Sequence, residues 1–396
     1  MTMNEFIYLD NSATTALSAA AKTKMSETFE VFGNPSSLHA AGDAAARILR
    51  DARRAVLSAL GIRSMSDKDD EQLVFTSSGT EATSLALLGC AHAKKRREAN
   101  RIITTNSEHP SVENALRVLE GEGFEVIRLS TRGGVIDMDE LSEALEKPVF
   151  MVSMMLVNNE TGAVYDVKSV FDKVKRAYPD AITHCDAVQG YLKMRVTPAS
   201  LAADLITVSA HKIHGPKGVG ALYIAPHILK ERKISPFIVG GGQEHGMRSG
   251  TENVIGIAGF SAAAEEGYKN MAKEMPRVAA LRGKCEELIA SADMGVRINA
   301  PLGARAPHIL NITLPNIKSQ TMLNYLSAKG IYVSSGSACS SHSAHKSPSL
   351  LAFGLSENEA DTSLRISFSE YNTEDDVHAL VDALKNGVET LVKIKR

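Results

Sequence analysis

The sequence predicts an α/β protein with a mostly parallel sheet covered by helices in a large domain, followed by a smaller C-terminal domain. Two observations predict this fold class. Between residues 72 and 225, short apolar segments alternate with helical patterns, as in parallel sheets whose strands are joined by helices. From about residue 255 the pattern changes to one long helical repeat, which indicates a bridge into the second domain, beginning near residue 262.

The strands are predicted where apolar residues run together without helical periodicity. These segments are "QLVFTSS" (72–78), "RIITT" (101–105), "VFMVSMML" (149–156), "AITHCDA" (181–187), "LITVSA" (205–210) and "ALYIA" (221–225). Helices are predicted between them at 80–97, 110–121, 138–146 and 167–177. In such a sheet the ligand crevice lies beyond the carboxyl ends of the strands, so polar residues after each strand are the candidate site.

Composition excludes several classes of function. The chain has 396 residues, 44% of them hydrophobic, and a formal net charge of −2. Its near-neutral balance gives no electrostatic footprint for nucleic acid or for an anionic membrane. No stretch approaches the roughly 20 apolar residues that span a bilayer, and the N-terminus lacks a signal-peptide pattern. We therefore expect a cytoplasmic protein.

The first predicted strand is followed by "SSGTEA", in which Gly79 turns the chain directly into a helix. Free N–H groups at that helix start, with the hydroxyls of Ser77, Ser78 and Thr80, can bind an anion. The same stretch also fits an ordinary helix cap, since Ser78 and Glu81 have capping-box spacing. The motif alone leaves both interpretations open.

The polar residues that follow the next two strands also fit either a structural or a functional role when each is considered alone. His109 in "NSEHPS" stands just before a proline, where a histidine is more often a cap or a solvated group than a catalytic one. Asn158 and Asn159 in "VNNETG" by themselves indicate only a turn.

Asp186 and Lys212 follow two further strands. The carboxylate of Asp186, behind apolar residues in "HCDAVQ", would be partly desolvated and needs a cation or a strong donor. Lys212 in "SAHKIHGPKG" comes two residues after its strand. A salt bridge between the two would satisfy both residues. Alternatively, both serve pyridoxal 5'-phosphate, which takes a lysine as a Schiff base and an aspartate against its pyridinium nitrogen.

Ten motifs, in order along nearly the whole chain, resemble those of pyridoxal-phosphate-dependent cysteine desulfurases of the nitrogen-fixation and iron–sulfur-cluster type, within the class V aminotransferase family. They are "YLDNSATT", "GNPSSLH", "FTSSGTEA", "EHPSV", "VNNETG", "DAVQ", "SAHKIHGPKGVG", "GGGQEHGMRSGT", "SSGSACSS" and "LRISFS". The resemblance implies a fold type I pyridoxal-phosphate-dependent transferase with a large domain over 15–261. A smaller α+β domain would comprise 1–14 and 262–396 and carry the loop 334–349.

The resemblance also implies a role for each matching residue. Lys212 would form the Schiff base, Asp186 would keep the pyridine nitrogen protonated, and His109 would stack on the ring and assist proton movement. The remaining cofactor contacts would come from Gln189 and Asn159 near the phenolic oxygen, and from Gly79, Thr80, Ser209, His211 and, across a homodimer, Thr251 at the phosphate. Arg365 would clamp the substrate carboxylate in a pocket lined by Asn159 and Asn34.

Cys339 is the residue that decides the reaction. It lies in a Ser-rich stretch with His342, His345 and Lys346 nearby to favour the thiolate. Alone, it would be interpreted as a surface cysteine in a loop; with Lys212 and Asp186 present, we predict a nucleophile. The resemblance then implies conversion of L-cysteine to L-alanine, with the sulfur held as a Cys339 persulfide. An iron–sulfur scaffold or a tRNA-thiolation enzyme would receive it.

The other three cysteines are predicted to be buried small hydrophobes, because they fall in helical or strand patterns. They are Cys90, Cys185 and Cys285, and no cysteine spacing indicates zinc or a disulfide framework.

Three departures from the family pattern stand out. Ala16 replaces the usual proline in "ATTA", which should change only a turn, and "KSPSLL" has Lys346 in the proline position with Pro348 further on. Glu370 stands where a basic residue is frequent, and it would weaken the carboxylate clamp if it turned inward.

Two alternatives remain open. A class V aminotransferase or lyase acting on another amino acid, such as selenocysteine, would leave Cys339 without a necessary role. A silent sulfur carrier or scaffold would show no cofactor absorbance.

Overall fold

The computed structural model describes residues 6–64, 66–93, 99–335 and 347–391. None of the helices within these ranges is both long enough and apolar enough to cross a membrane. The strands are β1 (Ile7–Tyr8), β2 (Leu73–Thr76), β3 (Arg101–Thr105), β4 (Glu125–Leu129), β5 (Val149–Met155), β6 (Ile182–Asp186), β7 (Leu205–Ser209), β8 (Gly220–Ile224), β9 (Arg297–Ile298), β10 (Ile309–Thr313), β11 (Ile331–Tyr332), β12 (Ser334–Ser335) and β13 (Ser363–Ser367).

The helices connect and cover these strands. They are α1 (Ala19–Thr28), α2 (Ala40–Ala59), α3 (Asp67–Asp70), α4 (Gly79–Ala91), α5 (Pro110–Gly121), α6 (Met138–Ala144), α7 (Val167–Ala177), α8 (Pro198–Leu201), α9 (Pro226–Lys230), α10 (Val254–Ser291), α11 (Ser319–Ala328), α12 (Pro348–Phe353), α13 (Glu357–Asp361) and α14 (Glu374–Thr390).

The main sheet has the strand order β2-β8-β7-β6-β5-β3-β4. Strands β4, β3, β5, β6 and β7 run parallel, whereas β8 pairs antiparallel with both β7 and β2. The predicted mostly parallel α/β sheet is therefore confirmed. Parallel strands bring their carboxyl ends to one edge, and polar residues that follow β3, β5, β6 and β7 meet there.

The predicted strands all occur, with ends that differ from prediction by at most two residues. The sequence reading missed β4, an edge strand whose first four residues are only partly buried or exposed. The predicted helix 80–97 was wrong at its end, because α4 stops at Ala91 and the N–H of His92 already bonds back to Leu88 and Cys90. Residues 94–98 lie outside the described ranges.

A second group of elements has its own sheet and core. Strands β12-β13-β10-β9 form an antiparallel sheet, and β1 pairs in parallel with β11. The 38-residue helix α10 bridges the two cores: its first turns, to Ala264, pack in the main core and Met275 to Ile289 pack in the second. The long helical bridge predicted from the sequence is confirmed, and the domain boundaries stay a prediction.

Candidate active site

Asp186 and Lys212 lie at the same edge of the main sheet. Asp186 is the last residue of β6 and pairs in register with Thr207 of β7. Strand β7 ends at Ser209, and a short 3-10 turn, Ala210–Lys212, carries the lysine past the end of the sheet. The order of parallel strands thus places both side chains at the expected crevice.

The Asp186 carboxyl group is buried, and its Oδ1 accepts a hydrogen bond from the Val188 N–H at 3.0 Å. Burial raises the pKa of Asp186 to about 6, although the Val188 hydrogen bond and the positive charge of Lys212 act in the opposite direction. A buried carboxylate with this need for a cation fits a role against a protonated ring nitrogen.

Lys212 is held by the N-terminal segment. Its Nζ donates hydrogen bonds to the carbonyl oxygens of Ser12, at 2.5 Å, and Ala13, at 2.8 Å. The side-chain amide of Gln189 donates to the same Ser12 carbonyl at 2.9 Å. The structure therefore brings Lys212 and Gln189 together around one short stretch of backbone.

His109 is both a helix cap and a neighbour of Lys212. Its Nδ1 accepts a hydrogen bond from the Ser111 N–H at 3.1 Å at the start of α5, so the capping interpretation is confirmed. Burial, and to a smaller extent the positive charge of Lys212, lower the pKa of His109 to about 4. His109 is therefore a neutral imidazole near pH 7.

The start of α4 forms a cradle at the ends of β7 and β8. Ser78 caps the helix by accepting the Glu81 N–H at 3.2 Å, as the capping interpretation predicted. A side chain at Gly220 would put its Cβ 2.5 Å from the Ser78 carbonyl carbon, and one at Gly79 would put it 3.1 Å from Cγ2 of Val188. Glycine at both positions lets the helix N-terminus approach the sheet closely.

Ser209 supplies the clearest sign of a missing ligand in this cradle. Its side chain is 2% exposed, and within the described residues its Oγ has no hydrogen-bond partner. A buried hydroxyl without a partner costs free energy, and a ligand with an acceptor oxygen at this point would remove that cost. Thr80 is exposed at the open side, and His211 Nδ1 lies 3.2 Å from the Thr14 hydroxyl.

Arg365 is buried at the other side of the N-terminal segment, on β13. Its guanidinium donates to the Asn159 carbonyl at 2.9 Å and to Oδ1 of Asp10 at 2.8 Å. Its Nε has no partner within the described residues. A planar donor that is held on two sides and keeps one N–H unsatisfied suits the binding of a carboxylate.

Three predicted residues are not joined to this group. Asn34 is exposed, and its Oδ1 accepts the Ser36 N–H at 2.9 Å. Thr251 is also exposed, and Cys339 lies outside the described residues. The roles of all three stay predictions.

The remaining cysteines are buried, as predicted, in α4, β6 and α10. Burial raises the pKa of each thiol, to about 12 for Cys285 and further for Cys90 and Cys185. A thiol with a raised pKa is a poor nucleophile, so these three side chains serve packing.

Glu370 does not turn inward to Arg365, the arrangement that would have weakened the carboxylate clamp. Its Oε2 lies 3.2 Å from Nε2 of His214, two residues after Lys212. Ala16 likewise meets His214, whose Nδ1 lies 2.9 Å from the Ala16 carbonyl oxygen. Pro348 begins α12 directly after its N-cap, Ser347.

Sequence reasoning missed three carboxylates in the site. Asp10 pairs with Arg365; Glu160 is buried and accepts the Ser347 hydroxyl at 2.6 Å; Glu108 is buried and accepts the Met155 N–H at 3.0 Å. Burial raises the pKa of Glu160 to about 7 and that of Glu108 to about 8. All three lie inside motifs that carry the family resemblance, "YLDNSATT", "VNNETG" and "EHPSV", and this was the one sequence signal that could have identified them.

The assembled donors fit pyridoxal 5'-phosphate. Such a ligand needs an amine for its aldehyde, a carboxylate for its ring nitrogen and N–H and O–H donors for its phosphate. Lys212 and Asp186 match the first two needs, and the α4 N-terminus with Ser209 matches the third.

Comparison with known proteins agrees with this chemistry. The aminotransferase class-V family model matches residues 7–380. A cysteine desulfurase of Trichormus azollae is 36% identical over 387 residues, covering 97% of this chain and 93% of that protein. The cysteine desulfurase IscS of Dictyoglomus turgidum is 36% identical over 391 residues, covering 98% and 96%.

Solved structures show the same kinship. A structure described as a NifS-like protein superposes with a TM-score of 0.88 at 34% identity, covering 98% of this chain and all of that one. With the lysine, the buried aspartate and the helix-start cradle in place, the chain belongs to the class V aminotransferase family and, within it, is related to the cysteine desulfurases.

Proposed function

We propose that this chain binds pyridoxal 5'-phosphate and is a cysteine desulfurase that converts L-cysteine to L-alanine and holds the sulfur as a persulfide on Cys339. The observation that carries the proposal is the grouping of Lys212, buried Asp186 and Ser209 at one sheet edge, with Arg365 across the N-terminal segment; the Ser209 hydroxyl has no partner in the part of the chain that the structure describes. The kinship with cysteine desulfurases supports the choice of substrate.

Residues of the chain divide the work. Pyridoxal phosphate, when bound, draws electrons away from the Cα of an attached amino acid. Asp186 would hold a proton on the ring nitrogen, and Lys212 would take the proton from Cα of the substrate. Gln189, His211, Thr80 and Gly79 would keep the cofactor in place, and Arg365, with Asn159 and Asn34, would orient the substrate carboxylate.

Cys339 would carry the sulfur. Its thiolate attacks the substrate sulfur, a bond forms between the two sulfur atoms, and the Cβ–S bond breaks. The electron pair of that bond stays with Cβ, which takes up a proton so that alanine leaves. One cysteine and one enzyme thiol thus give one alanine and one enzyme persulfide. No external oxidant or reductant is needed for this half of the reaction.

A homodimer and an acceptor protein belong to the same proposal. Three apolar side chains, Phe29, Phe32 and Leu38, are 64%, 89% and 105% exposed in the segment between α1 and α2, which supports a covering partner surface. The exposed Thr251 is free to reach the phosphate site of a second copy. An iron–sulfur scaffold or a tRNA-thiolation enzyme would accept the sulfur, and the cytoplasmic location stays a prediction.

The deciding experiment measures alanine and sulfide from L-cysteine with a reductant present, using the purified protein and its Cys339→Ala variant. We expect a yellow wild type that releases both products and a yellow variant that releases neither. Equal turnover by the two proteins would favour the lyase or aminotransferase alternative. A wild type without cofactor absorbance would favour the carrier alternative. Cys285→Ala, which removes a buried thiol, is the matched control.

A further inference from the structure

His214 occupies an unusual backbone position close to Lys212. It lies two residues further along the chain, is 4% exposed and has a φ of 66°. A bulky residue with this left-handed conformation is strained unless its surroundings hold it. Four hydrogen bonds do so, and they reach two distant parts of the chain.

The first partner of His214 is the N-terminal segment. The His214 N–H donates to Oγ1 of Thr15 at 2.7 Å, and its carbonyl accepts the Ser18 N–H at 3.0 Å. The ring Nδ1 lies 2.9 Å from the Ala16 carbonyl oxygen, so it carries a proton, because a carbonyl oxygen can only accept. The same segment supplies the carbonyls that hold Lys212.

The second partner is Glu370, in the turn that follows β13. Oε2 of Glu370 lies 3.2 Å from Nε2 of His214, and the Tyr371 ring meets the His214 ring edge-on with centroids 4.8 Å apart. Burial opposes ionisation of Glu370, but the His214 hydrogen bond and the charge of Lys193 outweigh it and lower the pKa of Glu370 to about 2. Both ring nitrogens of His214 thus face acceptor oxygens, so the contact with the Glu370 carboxylate requires a proton on Nε2 as well as on Nδ1.

The turn itself is fixed from behind by α10. Arg277 donates to the carbonyl oxygen of Glu370 and, at 3.0 Å, to that of Asn372. Because Arg277 holds the backbone of the turn, the Glu370 side chain contacts His214 from a fixed position. The segments that carry Lys212 and Arg365 thus meet directly through His214, at its contacts with Glu370 and Tyr371, in addition to their indirect link through the N-terminal segment.

We propose that His214 and Glu370 form a positioning pair that fixes the spacing between Lys212 and Arg365. This inference rests on the proposed function, in which Arg365 binds the carboxylate of the substrate and Lys212 acts at the Cα beside it. A substrate that bridges two groups binds well only when their spacing is set beforehand, since otherwise binding must order both segments. The pair therefore acts on substrate affinity more than on the chemical step.

Two variants separate this role from simple support of the fold. Glu370→Gln keeps the shape of the side chain and removes its charge. His214→Asn keeps a residue type that tolerates a positive φ and can still donate to Ala16, but its amide is too short to reach Glu370 as well. The matched control is Glu122→Gln, which breaks the exposed His92–Glu122 contact of 2.7 Å.

The first measurement is steady-state kinetics of alanine formation by the cofactor-loaded proteins. We expect each variant to raise the KM for cysteine about tenfold with kcat within about twofold of wild type, as for loss of a charged hydrogen bond. The double variant should be no worse than either single one, since both break one contact. Unchanged KM in the single variants, or additive effects in the double variant, would overturn the proposal.

The second measurement does not need the cofactor. Amide hydrogen exchange of the apoprotein should become faster in both 211–216 and 369–372 in Glu370→Gln, while exchange in β10 stays as in wild type. Exchange that is unchanged in 211–216 would show that the pair does not join the segments. If wild type binds no pyridoxal phosphate, the proposed function fails, and this exchange result still decides whether the pair is a link.

Discussion

The guanidinium of Arg365 donates a hydrogen bond to the carboxylate of Asp10 at 2.8 Å, between residues 355 positions apart in the chain. Both side chains are largely buried, 5% and 19% exposed, so solvent screens the pair only partly. Asp10 and the Asn159 carbonyl leave the guanidinium fork in a fixed orientation. The N-terminal segment therefore sets the direction of the group expected to bind the substrate.

Arg365→Lys should raise the KM for cysteine by about 10- to 100-fold while cofactor absorbance stays normal. A lysine keeps the charge but cannot hold Asp10, Asn159 and a carboxylate in one plane. Steady-state kinetics and the visible spectrum check this together. Arg297→Lys, at an exposed pair with Glu359, is the control and should leave KM unchanged. A normal KM in Arg365→Lys would remove Arg365 from substrate binding.

Ser209→Ala should weaken pyridoxal phosphate binding about tenfold and leave the apoprotein at least as stable as wild type. The reason is that the Ser209 hydroxyl has no partner within the described residues, so removing it ends a desolvation cost. Equilibrium dialysis and urea unfolding measure the two effects.

Ser153→Ala is the contrasting control for Ser209. The Ser153 hydroxyl lies 2.8 Å from Nδ1 of His184 in a buried pair, so its loss should cost about 1–2 kcal/mol of stability and leave cofactor affinity unchanged. The reverse pattern in the two variants would place the anion site elsewhere.

Asp186→Asn should make the apoprotein more stable at pH 8, by about 1–3 kcal/mol, although it abolishes turnover. Burial raises the pKa of Asp186 from 3.8 to about 6, so the folded chain binds this proton more tightly than the unfolded chain. The wild type therefore loses stability as pH rises through about 6, and the advantage of the amide should vanish near pH 4.

Urea unfolding of the two apoproteins at pH 8 and pH 4 checks the Asp186 prediction. Asp204→Asn should instead destabilise at pH 8, because Asp204 is buried and paired with Lys175 at 2.7 Å. A pH-independent difference between wild type and Asp186→Asn would contradict the expected titration.

Ser347→Ala should lower the free energy of unfolding by about 1–2 kcal/mol. Ser347 caps α12 and donates to Glu160, a carboxylate that is 8% exposed. Ser356→Ala is a matched control, since Ser356 caps α13 and donates to Glu359 at 2.7 Å in a more exposed place. Urea unfolding should show the smaller loss for Ser356→Ala, and equal losses would mean that burial of Glu160 adds nothing.

The sheet and the strand-end residues were predictable because their signals are local. A run of apolar residues marks each buried strand, and the next few residues mark its carboxyl end, which is how Asp186 and Lys212 were found. The pairing of Asp10 with Arg365 and of His214 with Glu370 was not predictable. Each joins segments separated by more than 150 residues, and side-chain type alone does not say which distant partner is met.

His109 shows the limit of choosing between interpretations. The sequence sets a capping role for this residue against a catalytic one, but in the structure the cap lies close to Lys212, so the two roles do not exclude each other. Only Nδ1 of the ring caps α5, so the ring face and Nε2 remain available to a ligand. Ser78 likewise caps α4 while lying at the helix start that is the candidate anion site.

The position of Leu9 in the second core has a consequence for synthesis of the chain on the ribosome. Leu9 packs with residues of β13 and α14, and the adjoining Asp10 and Asn11 bond to Arg365 and Ser367. During synthesis, Asp10 and Asn11 therefore wait for partners that are made 355 and 356 residues later. A nascent chain that has made Lys212 but not β13 lacks Arg365 and the strand that holds the N-terminal segment, so the site around that lysine is completed only once residues 363–367 have been made.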